Sequence, residues 1–281
     1  MRKKKINNRR LLCGKWCLAV LVSVVLVTGM ACRKGYGLCV AGGEMRVSVG
    51  DRQFYPMHSV VKFPQALYVA DYLNSHGISL DSVVVVRQSQ LMRDTWSPMI
   101  DMMEPDSMAF SFRQLLELSL VESDNNACDL LFEYCGMPEK VAEYIRSIGF
   151  GDIRIVATER QMHDRLALAD GNCCTPSEMV RLLQWFVAHK DDNVYMQAVW
   201  EMMGRGKTGN ERIPSAVPEG ARVVHKTGTG PVVNGRVTQI NDVGVVLMPD
   251  GRVWIVAAFV HNPESPSQIA EIVGQRMQGV W

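Results

Sequence analysis

Strand-like segments lie at both ends of this 281-residue chain, and helical patterns fill the region between them. Near the start, the runs GLCVA and EMRVSV flank a Gly-Gly pair and predict a hairpin. Beyond residue 220, ARVVHKTGTG and NDVGVVLMPDGRVWIVAAFV predict further strands, with a hairpin turn at Asp250-Gly251. The economical fold is one antiparallel sheet built from both ends of the chain, with the helical region inserted as a separate lobe.

The region between the strands carries several helix signals. After Pro56, the residues Leu67, Ala70 and Leu73 form an apolar helical face. SFRQLLELSLV is amphipathic, NACDLLFEYCG ends at Gly136, and Thr175-Pro176 begins the helix PSEMVRLLQWFVAH. A last helix, SPSQIAEIVGQRMQGVW, is expected to cover the sheet. We therefore predict a domain over 33–281, with a mixed α/β lobe from about 36–52 and 215–281 and an all-α lobe over about 56–205. The cleft between the lobes is the expected active site.

Residues 1–32 predict export. MRKKKINNRR is a basic head, and WCLAVLVSVVLVTGMAC is an apolar run that ends in small residues. Three interpretations stay open: a cleaved signal peptide, a retained membrane anchor, and a lipid-modified Cys32 after cleavage. All three predict a periplasmic location for the rest of the chain.

The composition excludes several classes of protein. A net charge of +1 gives no basic field for nucleic acid, and we expect no nucleic-acid partner. The eight cysteines include no Cys-x-x-Cys pair and no His/Cys spacing that suits zinc. We expect no metal, no organic cofactor and no structural disulfide, with the cysteines after residue 33 acting as small buried hydrophobes.

Three short motifs follow one another along the chain. Ser59 and Lys62 form Ser-x-x-Lys at the start of a helical pattern, Ser123-Asp124-Asn125 lies between two predicted helices, and Lys226-Thr-Gly lies on a predicted strand. Each motif alone is weak, because a serine beside a lysine or a polar turn is common in any chain. Their order and context together are specific for one group of acyl-transfer enzymes.

With these motifs the chain resembles the class A serine β-lactamases, within the larger group that includes the penicillin-binding DD-peptidases. The resemblance runs from about Gly37 to the C-terminus. It implies a five-stranded antiparallel sheet flanked by helices, a small-molecule β-lactam substrate and a monomer. The family also starts with a helix for which GLCVA leaves no room, unless the apolar segment before it supplies that helix.

The resemblance implies a role for each motif residue. Ser59 is the nucleophile, and Lys62, buried one helical turn later, is its base. Ser123 relays a proton to the leaving nitrogen, and Asn125 holds Lys62 and the amide side chain of the substrate. The backbone N–H groups of Ser59 and Thr229 form the oxyanion hole. The strand residues that complete the site are Lys226, Thr227 and Gly228, with Gly228 allowing close approach.

Deacylation separates a β-lactamase from a penicillin-binding protein. In VATERQMHDRLALADGNCCTP, Glu159 lies at the distance from Thr175-Pro176 that the family's water-activating glutamate requires. The arginine and aspartate that commonly clamp this loop are replaced by Ala157 and Asn172, and His163 replaces an asparagine that helps to hold the water. These changes resemble the PER- and CfxA-like branch, which favours cephalosporins.

Two further residues are implied as substrate contacts. Trp96 in DTWSPM corresponds to an aromatic wall of the cleft, and Arg212 in GNERIP corresponds to the cation that this branch uses for the substrate carboxylate. The commoner arginine on the strand after Lys-Thr-Gly is absent, with Val243 there instead. The chain is thus predicted to be an exported, cephalosporin-leaning β-lactamase that confers antibiotic resistance. The alternative is a DD-peptidase or slow β-lactam sensor that acylates without turnover.

Overall fold

A computed structural model of the chain describes residues 35–281. The predictions for residues 1–32, including Cys32 and the export segment, lie outside the described residues, as does the question of a first helix. Within 35–281, no helix is both long and apolar enough to cross a membrane.

The strands form one large sheet and several small ones. The large sheet is antiparallel throughout and has the order β2-β1-β12-β11-β8. The strands are β1 (Gly35–Gly42), β2 (Met45–Val49), β3 (Tyr55–Pro56), β4 (Val83–Arg87), β5 (Ser107–Ser111), β6 (Ile153–Arg154), β7 (Cys173–Cys174), β8 (Arg222–Thr229), β9 (Val232–Val233), β10 (Arg236–Val237), β11 (Gln239–Leu247) and β12 (Val253–His261).

The helices lie mainly between the two groups of long strands. They are α1 (Lys62–Ser75), α2 (Met99–Met102), α3 (Phe112–Val121), α4 (Asn125–Cys135), α5 (Pro138–Ser147), α6 (Glu159–Asp164), α7 (Pro176–His189), α8 (Val194–Met203), α9 (Ile213–Ala216) and α10 (Gln268–Met277). A 3₁₀ turn at His58–Val61 runs directly into α1. The predicted five-stranded antiparallel sheet with an inserted helical region is confirmed.

Apolar side chains that point alternately to the two faces of the sheet divide the core into two layers. On β12, Ala257 and Phe259 pack into a cluster that includes Leu183 of α7. The intervening residues Ala258 and Val260 face the other way and pack with Val273 of α10. Because successive side chains of a strand point to opposite faces, the sheet buries both faces, one under α7 and the helical region and one under α9 and α10.

Local chemistry explains where several elements begin and end. The Thr175 side chain accepts a hydrogen bond from the backbone N–H of Glu178, and Pro176 occupies the first turn of α7. Gly136 ends α4 with φ at 147°, a conformation that disfavours a side chain. The cysteines at 39, 128, 135, 173 and 174 are buried and free, as predicted from the sequence.

Candidate active site

Ser59 and Lys62 meet at the junction of the 3₁₀ turn and α1. In a 3₁₀ turn, side chains three residues apart lie above one another, which aligns the serine with the lysine. Lys62 Nζ lies 2.8 Å from Ser59 Oγ and is completely buried. The ammonium group is therefore in hydrogen-bond contact with the hydroxyl that the sequence predicts to be the nucleophile.

Lys62 has two further acceptors. Its Nζ donates to Asn125 Oδ1 at 2.7 Å and to Glu159 Oε1 at 2.6 Å. A lysine ammonium has three N–H groups, so these two bonds and the one to Ser59 use all of them. Residues from the 3₁₀ turn, α4 and α6 are thus joined by a single buried cation.

Ser123 lies opposite, between α3 and α4, and faces the edge strand β8. Its φ of 60° is in the left-handed region, which is unusual for a residue with a side chain and is common at functional sites. Lys226 Nζ donates to Ser123 Oγ at 2.9 Å. Burial, followed by the nearby charge of Lys62, holds the pKa of Lys226 well below its ordinary value of 10.5. This lysine can therefore release a proton more readily than one in water.

Gly228 allows β8 to approach the nucleophile. A Cβ atom at this position would lie 2.4 Å from the carbonyl oxygen of Met57 and 3.2 Å from the backbone N of Val60. Neither neighbour is the end of a flexible side chain. Only glycine therefore fits between the strand and the turn that carries Ser59.

Trp96 and Asn125 are linked through the loop before α2. The backbone N–H of Asn125 donates to the carbonyl of Trp96 at 3.0 Å, and its side-chain amide donates to Thr95 Oγ1 at 2.8 Å. The indole N–H of Trp96 donates to the carbonyl of Glu122 at 2.8 Å, while 61% of the residue stays exposed. A recess of about 320 Å³ opens beside Thr95 and Trp96.

Arg212 lies on the opposite side of β8 from Lys226. Its Nη2 donates to Thr229 Oγ1 at 2.8 Å, and its Nη1 donates to the carbonyls of Gly228 and Asn241. The strand position opposite Thr229 is Ile240, whereas Val243 pairs with Lys226 and is buried in the core. On β11, the group that this guanidinium contacts is the backbone carbonyl of Asn241. The remaining predicted residue, Thr227, contacts Thr208 through its hydroxyl at 2.5 Å.

Glu159 begins α6, and Asp129 of α4 holds its backbone. The carboxylate of Asp129 accepts the N–H of Glu159 at 2.7 Å and that of Arg160 at 2.8 Å. Burial, and secondarily the charge of Glu159, raise the pKa of Asp129 from 3.8 to about 7. Sequence analysis missed Asp129, although its position four residues after Asn125 places both on one face of a helix.

Asn172 closes the loop that carries Glu159. Its side-chain oxygen accepts the N–H groups of Val156 and Ala157 at 2.8 and 3.0 Å, and its amide donates to the carbonyl of Ala157 at 2.8 Å. The two ends of the loop are therefore tied together by one neutral, completely buried amide, at the position where the sequence has Asn172 in place of a charged residue.

His163 lies on the exposed side of α6. Its ring nitrogens contact Asp94 at 3.3 Å and Asp164 at 3.4 Å, and 39% of its side chain is exposed. Among the described residues, no hydrogen bond joins it to Glu159. Its role in holding a water stays a prediction.

Sequence analysis also missed a buried amide pair on β11. Asn241 donates to the carbonyls of Pro56 and Met57, and Gln239 donates to that of Pro56. These bonds tie the segment before Ser59 to the sheet, and polar residues within an apolar strand were the only signal for them. In the described part of the chain, no cluster of three or more His, Cys, Asp or Glu residues could hold a metal ion.

A serine bonded to a buried lysine, together with a second pair in which Lys226 bonds Ser123, is the arrangement typical of serine acyl-transfer enzymes. A model of the beta-lactamase enzyme family matches residues 32–277. Extended-spectrum beta-lactamase PER-1 of Pseudomonas aeruginosa is 34% identical over 220 residues, 78% of this chain and 71% of that protein. A beta-lactamase of Bacteroides uniformis is 33% identical over 260 residues, 91% of this chain and 88% of that protein. The chain belongs to the class A β-lactamases.

Solved structures show the same relationship. The crystal structure of the TLA-3 extended-spectrum beta-lactamase superposes with a TM-score of 0.81 at 32% identity, covering 88% of this chain and 91% of that one. A class A beta-lactamase from Bacteroides cellulosilyticus superposes with a TM-score of 0.79 at 31% identity, covering 87% and 92%. The protein is thus a β-lactam hydrolase, and hydrolysis of β-lactams is how such enzymes confer antibiotic resistance.

Proposed function

We propose that this β-lactamase works through an acyl-enzyme on Ser59, which a water activated by Glu159 then hydrolyses. The observation that supports this most strongly is the double contact of Lys62 Nζ, at 2.8 Å from Ser59 Oγ and 2.6 Å from Glu159 Oε1. One buried group therefore connects the nucleophile of the first step with the base of the second.

Acylation begins with proton movement through Lys62. The ammonium passes a proton to Glu159, and the neutral amine then takes the proton of Ser59 as Oγ attacks the lactam carbonyl. The backbone N–H groups of Ser59 and Thr229 hold the oxyanion that develops. Ser123 protonates the departing nitrogen and regains a proton from Lys226, whose lowered pKa favours this release.

The substrate is held at both ends. Arg212, beside Thr229, attracts its carboxylate, and Thr227 and Thr229 add hydroxyl donors. Asn125 bonds the amide side chain, and Trp96 forms one wall of the cleft, with the neighbouring recess available to that side chain.

Deacylation uses the free carboxylate of Glu159. Once acylation is complete, Glu159 releases the proton that it received from Lys62, and the neutral amine of Lys226 regains one, so both groups return to their starting forms. The Glu159 carboxylate then takes a proton from a water as that water attacks the ester carbonyl, and Ser59 leaves with a proton that Glu159 returns through Lys62. His163 is the proposed second ligand of this water. For that role its ring must exchange the contact with Asp94 for one with the water.

The test follows turnover and adduct mass together. The purified protein is mixed with a chromogenic cephalosporin, and steady-state hydrolysis and intact mass are recorded. Many turnovers with no lasting adduct are expected. One stoichiometric burst with a stable adduct on Ser59 would instead identify the alternative, a DD-peptidase or slow β-lactam sensor. The Lys62–Glu159 contact favours turnover, because it places a carboxylate beside the nucleophile that can serve as the base for deacylation. A protein that stalls at the acyl-enzyme lacks such a base.

We also propose that cephalosporins are the preferred substrates. The support is the resemblance of the loop around Glu159, with Ala157, His163 and Asn172, to the PER- and CfxA-like branch, together with the 34% identity to PER-1. Comparing kcat/KM for a cephalosporin and a penicillin measures the preference. A higher value for the penicillin contradicts it.

Finally, we propose an exported, periplasmic monomer that is either released or held at the membrane through its N-terminus. The basic head and apolar run of residues 1–32 support export. Fractionation of cells separates periplasmic from cytoplasmic protein. Labelling with a radioactive fatty acid, compared between wild type and Cys32→Ala, tests the lipid anchor, and sedimentation tests the monomer.

A further inference from the structure

A buried histidine–aspartate pair lies on the face of the sheet that points away from Ser59. His225 Nδ1 lies 2.8 Å from Asp242 Oδ1, and the side chains are 4% and 0% exposed. Gly244 is opposite His225 on β11, where a Cβ atom would lie 2.5 Å from the Cβ of His225. The absence of a side chain at Gly244 therefore lets the two strands come close at the base of the His225 side chain. Nothing in the mechanism above uses this pair.

The second carboxylate oxygen of Asp242 accepts a hydrogen bond from the backbone next to Arg212. Asp242 Oδ2 accepts the backbone N–H of Ile213 at 3.0 Å. Ile213 begins α9, and the side chain of the preceding Arg212 makes no capping bond to that helix. Asp242 therefore supplies an acceptor for the first N–H of α9 and fixes the peptide group that follows Arg212.

The guanidinium of Arg212 is tied to the same strand. Its Nη1 donates to the carbonyl of Asn241 at 2.9 Å, one residue before Asp242. Arg212 is thus held at its backbone by Asp242 and at its guanidinium by Asn241. Both oxygens of the buried Asp242 carboxylate therefore have a hydrogen-bond partner. Oδ2 accepts from the N–H of Ile213, and Oδ1 pairs with His225, which orients the carboxylate.

We propose that Asp242, oriented by His225, is a positioning residue for β-lactam recognition: it holds Arg212 so that the guanidinium lies beside Thr229, where it meets the substrate carboxylate. This inference rests on the proposed role of Arg212 in carboxylate binding. Asp242 does not touch the substrate, so its effect passes through Arg212.

The experiment measures kcat and KM of the full chain on two matched substrates, a chromogenic cephalosporin and its ester, which lacks the carboxylate. Asp242→Ala removes both bonds and should raise KM for the acid about tenfold, with kcat nearly unchanged and no effect on the ester. Asp242→Asn should stay within about twofold of wild type, because its amide oxygen can accept from Ile213 and its NH₂ can donate to the other tautomer of His225.

The charge of Asp242 also opposes the lowering of the Lys226 pKa, which offers a competing explanation. A charge effect would change kcat, would be equal in the Ala and Asn variants, and would be the same for acid and ester. That result overturns the positioning role. In an Arg212→Ala background, Asp242→Ala should add nothing to KM, whereas an additive effect also overturns the proposal.

Arg212→Ala alone separates the two levels of the hypothesis. If it leaves KM for the acid unchanged, the proposed carboxylate site fails and the inference fails with it. If it raises KM while Asp242→Ala does not, only the inference fails. Should Asp242→Ala not fold, His225→Ala removes one of the two partners of Asp242 and should raise KM a few-fold for the acid alone. An unchanged KM in that variant contradicts the proposal.

Discussion

Asn172 is a single side chain that joins both ends of the loop carrying Glu159, so its removal should be costly. Asn172→Ala deletes the acceptor of the N–H groups of Val156 and Ala157 and the donor to the carbonyl of Ala157. Ala157 is completely buried, so water cannot replace its lost partners. Each of the two stranded groups of Ala157, its N–H and its carbonyl, costs about 1–3 kcal/mol, so the unfolding free energy should fall by about 2–6 kcal/mol.

Two measurements test this prediction. Equilibrium unfolding in urea should show the loss of stability as a lower midpoint with an unchanged slope. The lifetime of the acyl-enzyme should rise more than the acylation rate falls, because the loop positions Glu159 rather than Ser59. We expect deacylation to slow by at least about tenfold, since a small displacement of a catalytic group has effects of this size.

Asn193→Ala is the matched control. The Asn193 side chain also accepts two backbone N–H groups, those of Tyr195 and Met196 at 3.0 Å, but it caps α8 outside the loop. Its removal should lower stability by about 1 kcal/mol and leave the acyl-enzyme lifetime unchanged. A loss below about 1 kcal/mol in Asn172→Ala, with an acyl-enzyme lifetime equal to that of wild type, would refute the reasoning.

Three other predictions concern neighbouring groups. Glu159→Ala should still be acylated but should accumulate adduct, whereas Ser59→Ala should form none; intact mass distinguishes them, and wild-type turnover in either rejects the mechanism. The raised pKa of Asp129, about 7 against 3.8 in the unfolded chain, means that the folded state binds this proton more tightly. Its contribution to stability should therefore fall by on the order of 4 kcal/mol as pH rises from about 4 to about 7. Unfolding of Asp129→Asn across this range should lack that decline, and an equally steep decline contradicts the assignment. Gly228→Ala must move the chain at the Met57 carbonyl and should slow acylation about 100-fold in a stopped-flow assay, a result that a near-normal rate would contradict.

Local signals in the sequence predicted most of the fold. Thr175-Pro176 and Gly136 mark helix ends through chemistry that acts within one turn, and Asp250-Gly251 marks the turn between β11 and β12. The two faces of β12 follow the alternation of its residues. These features need no knowledge of distant parts of the chain, which is why sequence patterns alone indicate them.

The missed residues share a different property. Asp129, Asn241 and Asp242 act on backbone groups far away in sequence, at Glu159, Pro56 and Ile213. A carboxylate or amide on a helix or strand predicts no particular partner, because the partner depends on how the elements pack. Such contacts require the three-dimensional arrangement, whereas the motif residues were found because the family resemblance supplied their partners.

The pairing of β1 with β12 sets when the active site can form. Gly35 pairs with His261 and Ala41 with Ile255, so the centre of the sheet joins opposite ends of the described chain. Bringing β1 and β12 together is slow, because the chain between them loses conformational entropy before the contacts between the strands form. Lys62, Asn125 and Glu159 precede β8 in the chain, and Lys226 comes after them. During synthesis, a chain that ends before β8 already carries Ser59 but lacks Lys226. Hydrolysis of β-lactams can therefore begin only after the C-terminal strands have been made and have joined the sheet.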